Sequence, residues 1–122
     1  VLSGLRPTTQ GTYQFEETAL KNPTVNEMIE RGIGYIPEDR KKYGVSGGMS
    51  IAYNFLLRDF RNPEFCSHQL LKQANIFDYG QKKMEEFDIR APSAKSQVGL
   101  LSGGNMQKVI LAREISRPLS LL

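Results

Sequence analysis

The sequence predicts an α+β chain that is mostly helical, with a few short strands near its N-terminus. Three observations lead to this prediction. Short stretches in which polar and apolar residues alternate occur before residue 40, apolar residues recur at helical spacing after residue 50, and Gly and Pro separate these stretches. With 122 residues, 39% of them hydrophobic, the chain can bury one small core.

The N-terminal part is predicted to hold two short strands and one helix. Residues 12–15 alternate as a strand does. Residues 33–36 form a second predicted strand, which ends at Pro37 because proline has no N–H for a strand ladder. The Asn-Pro-Thr sequence at 22–24 is typical of a helix entry, so a helix is predicted over 25–31.

The remainder is predicted to be a loop followed by three helices. Residues 38–50 are charged and Gly-rich, which favours an exposed loop. Helical spacing then predicts helices over 50–59, over 67–87, and from Ser102 onward. Gly80 weakens the second of these predictions, since glycine inside a helix costs about 1 kcal/mol relative to alanine.

Composition argues against several functional classes. The net charge is +3, and charges of both signs are mixed along the chain. Because no nucleic-acid motif occurs either, we expect no nucleic-acid partner. A small module that binds an anion is an alternative with little support in the sequence. A single cysteine, Cys66, excludes an internal disulfide framework and a Cys-rich metal site. His68 is expected to be an exposed or hydrogen-bonded side chain, and no apolar run reaches the roughly 20 residues of a membrane span. We expect no metal site in the chain and a monomeric state.

The most informative motif is Ser102-Gly103-Gly104-Asn105, placed at the start of a predicted helix. A serine hydroxyl, exposed backbone N–H groups and the positive end of the helix dipole together suit a phosphate, and glycine permits its close approach. The triplet alone is weak evidence, since Ser-Gly-Gly also occurs at 46–48 within the predicted loop.

Three stretches together resemble ABC ATPases, specifically the second ATP-binding half of sugar and nucleoside importers. The run LSGGN-x-Q-K-V-x-L-A-R-E-I-S-R resembles their signature region, G-Y-I-P-E-D-R at 34–40 resembles their Q-loop segment, and E-F-D-I-R at 86–90 resembles the segment that leads into the signature.

The resemblance implies an α/β P-loop NTPase of the ABC type as the parent fold. Residues 1–44 would be a partial ATP-binding core that includes the Q-loop region, 45–100 the helical subdomain, and 101–122 the signature loop with its following helix. No G-x-x-x-x-G-K-[ST] sequence occurs, and the chain stops before the second Walker motif. We therefore expect an interior fragment of an ATPase, catalytically inactive by itself.

The resemblance also implies the residues of the site. Ser102, Gly103, Gly104 and Asn105 would contact the γ-phosphate of ATP held by a partner domain. Glu38 stands where the Q-loop of the family has Gln, so it is a candidate catalytic residue near Mg²⁺ or the attacking water. ATP and Mg²⁺ would act in the parent assembly, and none is expected to bind this chain tightly.

The implied partners are a second ABC ATP-binding domain and a membrane permease, which places the protein on the cytoplasmic side of the cell membrane as a peripheral subunit. The alternative is a non-transport ABC ATPase of the kind that acts in translation or DNA repair. The sequence does not identify the transported solute.

Overall fold

A computed structural model of the chain describes residues 4–7, 9–11, 13–15 and 17–122, and of Tyr13 only the backbone. The described residues form two compact units. The first unit holds the described residues up to Tyr35 together with Arg117–Leu122, and the second unit holds Ile36–Ser116.

The first unit contains a short hairpin and one helix. Strands β1, Tyr13–Phe15, and β2, Thr18–Leu20, pair antiparallel. Helix α1, Val25–Glu30, begins with a capping box in which the Thr24 hydroxyl accepts from the Glu27 N–H at 3.3 Å and the Glu27 carboxylate accepts from the Thr24 N–H at 2.6 Å. The backbone hydrogen bond from Thr24 holds the pKa of Glu27 below its ordinary value. The helix predicted over 25–31 is confirmed.

The strand predictions for this unit are confirmed only in part. The strand predicted at 12–15 is present as β1, with residue 12 outside the described residues, whereas β2 was not predicted. The strand predicted at 33–36 is wrong: within the described residues it reduces to a single parallel bridge between Ile33 and Leu121. The three residues of β2, Thr-Ala-Leu, do not alternate between polar and apolar side chains, so the sequence gives no strand signal there.

The second unit consists of helices, helical turns and one two-stranded hairpin. Ser50 caps its first α-helix by accepting a hydrogen bond from the Tyr53 N–H at 3.3 Å. The elements are a π-helical turn at Arg40–Gly44, α2 at Ile51–Phe55, a 3₁₀ turn at Leu56–Arg58, β3 at Cys66–Ser67, β4 at Leu70–Leu71, α3 at Gln73–Glu86, a 3₁₀ turn at Val98–Leu100 and α4 at Gly103–Ile115.

The helix predicted over 67–87 is wrong for its first six residues, which belong to the β3–β4 hairpin. His68 and Gln69 form the turn, with φ of 48° and 66°, a left-handed backbone that a helix cannot contain. His68 is exposed there, and its Nδ1 lies 3.0 Å from the Ser67 hydroxyl. The remaining residues form α3 as predicted.

The core of the second unit lies around α2, which packs against both α3 and α4. Gly80 of α3 allows close approach, because a Cβ at this position would lie 2.6 Å from the Cβ of Ala52. One cluster of buried apolar residues forms this core: Ile51, Ala52, Phe55, Leu56, Phe65, Ile76, Met84, Ile89, Ala94, Val98, Met106, Val109 and Ala112.

Candidate functional site

Helix α4 begins at an exposed serine. Ser102 has an extended backbone, with φ of −60° and ψ of 154°, and its Oγ accepts from the Asn105 N–H at 3.4 Å. The first backbone N–H groups of any α-helix have no acceptor within the helix, so those of Gly103 and Gly104 are available to an outside group. No acidic side chain occupies the first turn of α4, which leaves its positive dipole end unopposed there.

The two glycines leave the start of the helix open. Both are exposed, and neither has a positive φ. A Cβ at Gly104 would meet no described atom within 4 Å, and a Cβ at Gly103 would meet only Nη1 of Arg40 at 3.9 Å. Among the described residues, therefore, neither backbone geometry nor packing requires glycine at these two positions.

Asn105 connects the first turn of α4 to the backbone of Arg90. Its Oδ1 accepts from the Arg90 N–H at 3.0 Å, and its Nδ2 donates to Ser102 Oγ at 3.1 Å. The side chain amide is thus engaged at both ends within the chain.

An ion pair between Asp88 and Lys108 also holds residues 88–90 against α4. Nζ of Lys108 lies 2.9 Å from Oδ2 of Asp88, and this hydrogen bond, with the lysine charge, holds the pKa of the Asp88 carboxyl below its ordinary value. Asp88 has a left-handed backbone, with φ of 47°, so the chain reverses direction there. Sequence reasoning did not single out this pair, because its partners are 20 residues apart.

The predicted exposed loop over 38–50 is partly ordered against α4. Asp39 caps the turn Arg40–Gly44 by accepting from the Lys42 N–H at 3.1 Å, and Arg40 Nη1 donates to the Gly103 carbonyl at 3.4 Å. The exposed Glu38 and Gly103 both line one open groove of about 330 Å³. The groove is lined by Glu38, Asp39, Arg40, Lys41, Gly103 and Met106.

Curated proteins similar to the chain are ATP-binding proteins of importers. No protein-family model matches the chain. It is 37% identical to a glucose import ATP-binding protein of Haloferax volcanii over its whole length, 34% identical over 99% of its length to a guanosine import ATP-binding protein of Bacillus subtilis, and 35% identical over its whole length to an arabinose import ATP-binding protein of Pseudomonas savastanoi pv. phaseolicola. The chain belongs to the family of ABC transporter ATP-binding proteins. It spans between 22% and 24% of the length of these three relatives.

A buried charged cluster, missed by sequence reasoning, holds the turn Arg40–Gly44 of this ABC chain to α4. Arg113 donates to the Gly44 carbonyl at 3.0 Å and to Oε1 of Glu114 at 3.0 Å. Arg58 lies 2.8 Å from Oε2 of Glu114, whose side chain is fully buried. The signal in the sequence is an Arg-Glu pair inside the apolar run of α4, where solvated charges are not expected.

The second Ser-Gly-Gly triplet, at 46–48, has a structural role in the ABC chain. The fully buried Asn54 accepts from the Ser46 N–H at 2.8 Å and donates to the Ser46 carbonyl at 3.1 Å. The Gly47 carbonyl accepts from the Gly99 N–H at 3.0 Å, and a Cβ at Gly99 would lie 2.8 Å from that carbonyl oxygen. This triplet is hydrogen-bonded to α2 and to the 3₁₀ turn at Val98–Leu100, whereas the triplet at 102–104 begins α4 with two exposed glycines.

Within the described ranges, no three His, Cys, Asp or Glu side chains cluster as a metal site would require. In that same part of the chain no helix combines the length and hydropathy needed to span a bilayer.

Proposed function

We propose that this chain is part of the ATP-hydrolysing subunit of an ABC importer for sugars or nucleosides, where it supplies the signature loop that closes on ATP bound by a partner domain. The names of the relatives support import, since they specify import of glucose, guanosine and arabinose. The same names favour an importer over a non-transport ABC ATPase. They span sugars and nucleosides, so the solute class stays at that breadth.

The observation that carries this proposal is the open start of α4. Glycine in a helix costs about 1 kcal/mol relative to alanine, and nothing in the described residues requires glycine at 103 or 104. Close approach of an outside group accounts for both glycines, because a Cβ would stand between that group and the backbone N–H donors. The exposed hydroxyl of Ser102 adds a further donor at the start of α4, and the guanidinium of Arg40 lines the groove beside Gly103.

The donors fit a phosphate group. Backbone N–H groups, a hydroxyl and a helix dipole stabilise negative charge on phosphate oxygens without supplying a nucleophile or a base. ATP, when bound with Mg²⁺ by the partner domain, supplies the phosphoanhydride that is cleaved. We assign Ser102, Gly103 and Gly104 to direct contact with its γ-phosphate, and Asn105 to the same site through its hydrogen bond to Ser102. The exposed Glu38 is the residue we assign to the Q-loop position.

In this proposal the chain supplies one side of an ATP site, and its partner domain binds the nucleotide. Its sequence contains no lysine-bearing phosphate loop, so we expect the chain alone to be inactive and to bind neither ATP nor Mg²⁺ tightly. The proposed partners are a second ABC ATP-binding domain and a membrane permease, at the cytoplasmic face of the membrane. We propose that residues 1–44 are part of the ATP-binding core, residues 45–100 the helical subdomain, and residues 101–122 the signature loop with its following helix.

The test substitutes one exposed glycine of the signature loop in the full-length protein that carries this chain. Gly104→Ala should preserve the fold and reduce both ATP hydrolysis and solute uptake at least tenfold, about 1.4 kcal/mol, since a methyl group would obstruct the phosphate. Gly48→Ala is the matched control, because it also lies in open space. Normal turnover and uptake in Gly104→Ala would contradict the assignment.

A further inference from the structure

We propose that Asn105 is a positioning residue, which turns the hydroxyl of Ser102 outward so that its proton is donated to the phosphate. The inference rests on the proposed function of the signature loop and assigns to Asn105 a role through Ser102 rather than through the nucleotide itself.

The orientation of the Asn105 amide is fixed by chemistry. A backbone N–H only donates, so the group that faces the Arg90 N–H at 3.0 Å must be the carbonyl oxygen Oδ1. The NH₂ group consequently faces Ser102, where Nδ2 lies 3.1 Å from Oγ. The reverse orientation would place two donors against each other at Arg90.

The hydroxyl of Ser102 is left with one free function. A serine hydroxyl has two acceptor lone pairs and one proton. Its oxygen accepts from the Asn105 N–H at 3.4 Å and from Asn105 Nδ2 at 3.1 Å, so both acceptor positions are taken by the same residue. Across the described residues no acceptor receives the Ser102 proton, and the side chain is exposed. The proton therefore points away from the chain.

This arrangement suits an anionic ligand specifically. An outward proton donates to a phosphate oxygen, whereas an outward lone pair would repel it. Aspartate at position 105 would still accept from the Arg90 N–H, but its other oxygen would accept the Ser102 proton and turn the hydroxyl inward. Amide and carboxylate are nearly the same shape, so this single exchange inverts the hydroxyl while leaving the space filled.

The experiment measures ATP hydrolysis by the full-length protein carrying Asn105→Asp. Loss of one hydrogen bond to a charged acceptor is expected to lower kcat about 10- to 100-fold. An acidic side chain in the first turn of α4 favours the helix, so stability should not fall. Gln107→Glu is the control for added negative charge, since Gln107 is exposed on the same helix; its kcat should stay within about twofold.

A double-mutant cycle decides whether Asn105 acts through Ser102. Ser102→Ala removes the hydroxyl, so adding Asn105→Asp to it should lower kcat by no more than about twofold further. Additive losses would overturn the inference while leaving the proposed function standing. Full activity of Ser102→Ala would instead count against the proposed function.

Two further measurements guard against a merely structural effect. The amide proton of Arg90 should stay protected from exchange with solvent in Asn105→Asp, since its acceptor is retained; loss of that protection would show a displaced loop. In that event Asn105→Gln, which keeps both amide groups, decides the matter. Its kcat is expected within about threefold of the unsubstituted protein, and a loss as large as that of Asn105→Asp would overturn the inference.

Discussion

The guanidinium of Arg113 donates to the carbonyl oxygen of Gly44 at 3.0 Å, across 69 residues of sequence. This contact joins the end of the π-helical turn to the last part of α4, while Arg40 joins its beginning to Gly103. Gly44 is buried between them, and a Cβ there would lie 2.5 Å from Cδ1 of Ile110. The turn Arg40–Gly44 and α4 are thus packed along each other.

Loss of Arg113 should destabilise the chain. Arg113→Met is expected to lower the free energy of unfolding by about 3 kcal/mol, because the Gly44 carbonyl loses its donor and the buried Glu114 loses one of two cationic partners. Urea denaturation followed by circular dichroism measures this difference. The exposed Lys42→Met removes an equal charge from the surface and should change stability by less than about 0.5 kcal/mol. Equal stability of the two variants would show that the buried contacts contribute nothing.

Gly80→Ala should destabilise although alanine is the better helix former. The added Cβ would lie 2.6 Å from the Cβ of Ala52 and 3.0 Å from its Cα, and α2 cannot move without disturbing the core. Overpacking of this kind costs about 1–3 kcal/mol, more than the roughly 1 kcal/mol that helix propensity returns. The midpoint of thermal unfolding should therefore fall.

The control for this substitution reduces the contact from the other side. Ala52→Gly in the Gly80→Ala background removes the opposing Cβ, so part of the lost stability should return despite the helix propensity lost at position 52. A midpoint that rises in Gly80→Ala alone would show that α2 and α3 are packed more loosely than the structure has them.

These contacts mark the boundary of what sequence reasoning predicted. Helix α4 and its Ser102 cap were predicted because capping and periodicity are local signals. The hairpin at residues 67–72 was not predicted. Its apolar pair, Leu70 and Leu71, fits a helix and a hairpin equally well, and only the left-handed φ of His68 distinguishes the two.

The long-range polar contacts were missed for a different physical reason. Glu114 is fully buried, and its contact with Arg58 depends on how α2 and α4 pack, which no local pattern encodes. The candidate site residues Ser102, Gly103, Gly104 and Glu38 were all chosen from motifs. Their assignment to a nucleotide remains a prediction, whereas the groove shared by Glu38 and Gly103 came from the structure alone.

The ion pair of Asp88 should make stability depend on pH in acid. Lys108 lowers the pKa of the folded carboxyl, so the pair stabilises the folded chain fully above the ordinary pKa of aspartate, about 3.9, and the contribution is lost as pH falls through the lowered pKa. The difference in unfolding free energy between the unsubstituted chain and Asp88→Asn should be constant from pH 7 to about pH 5 and should shrink below about pH 4.

Asparagine is the suitable replacement because it tolerates the left-handed backbone of position 88. Arg90 also faces this carboxylate, at 3.8 Å, and adds to the lowering. Lys108→Met should reduce the same acid dependence from the other partner. A difference between the unsubstituted chain and Asp88→Asn that grows toward low pH would contradict the sign of this pKa shift.

The chain by itself should bind Mg-ATP only weakly. Three or so hydrogen bonds to a charged phosphate, of about 1.5–3 kcal/mol each, are largely offset by the cost of association, about 4–15 kcal/mol. An NMR titration should therefore show small shifts without saturation below about 1 mM, confined to the amides of residues 102–105. Inorganic triphosphate should give the same shifts as ATP, because only phosphate would be contacted, and Ser102→Ala should diminish both. Saturation at micromolar ATP, or shifts centred elsewhere, would mean that the chain holds a nucleotide pocket of its own and that the shared-site proposal is wrong.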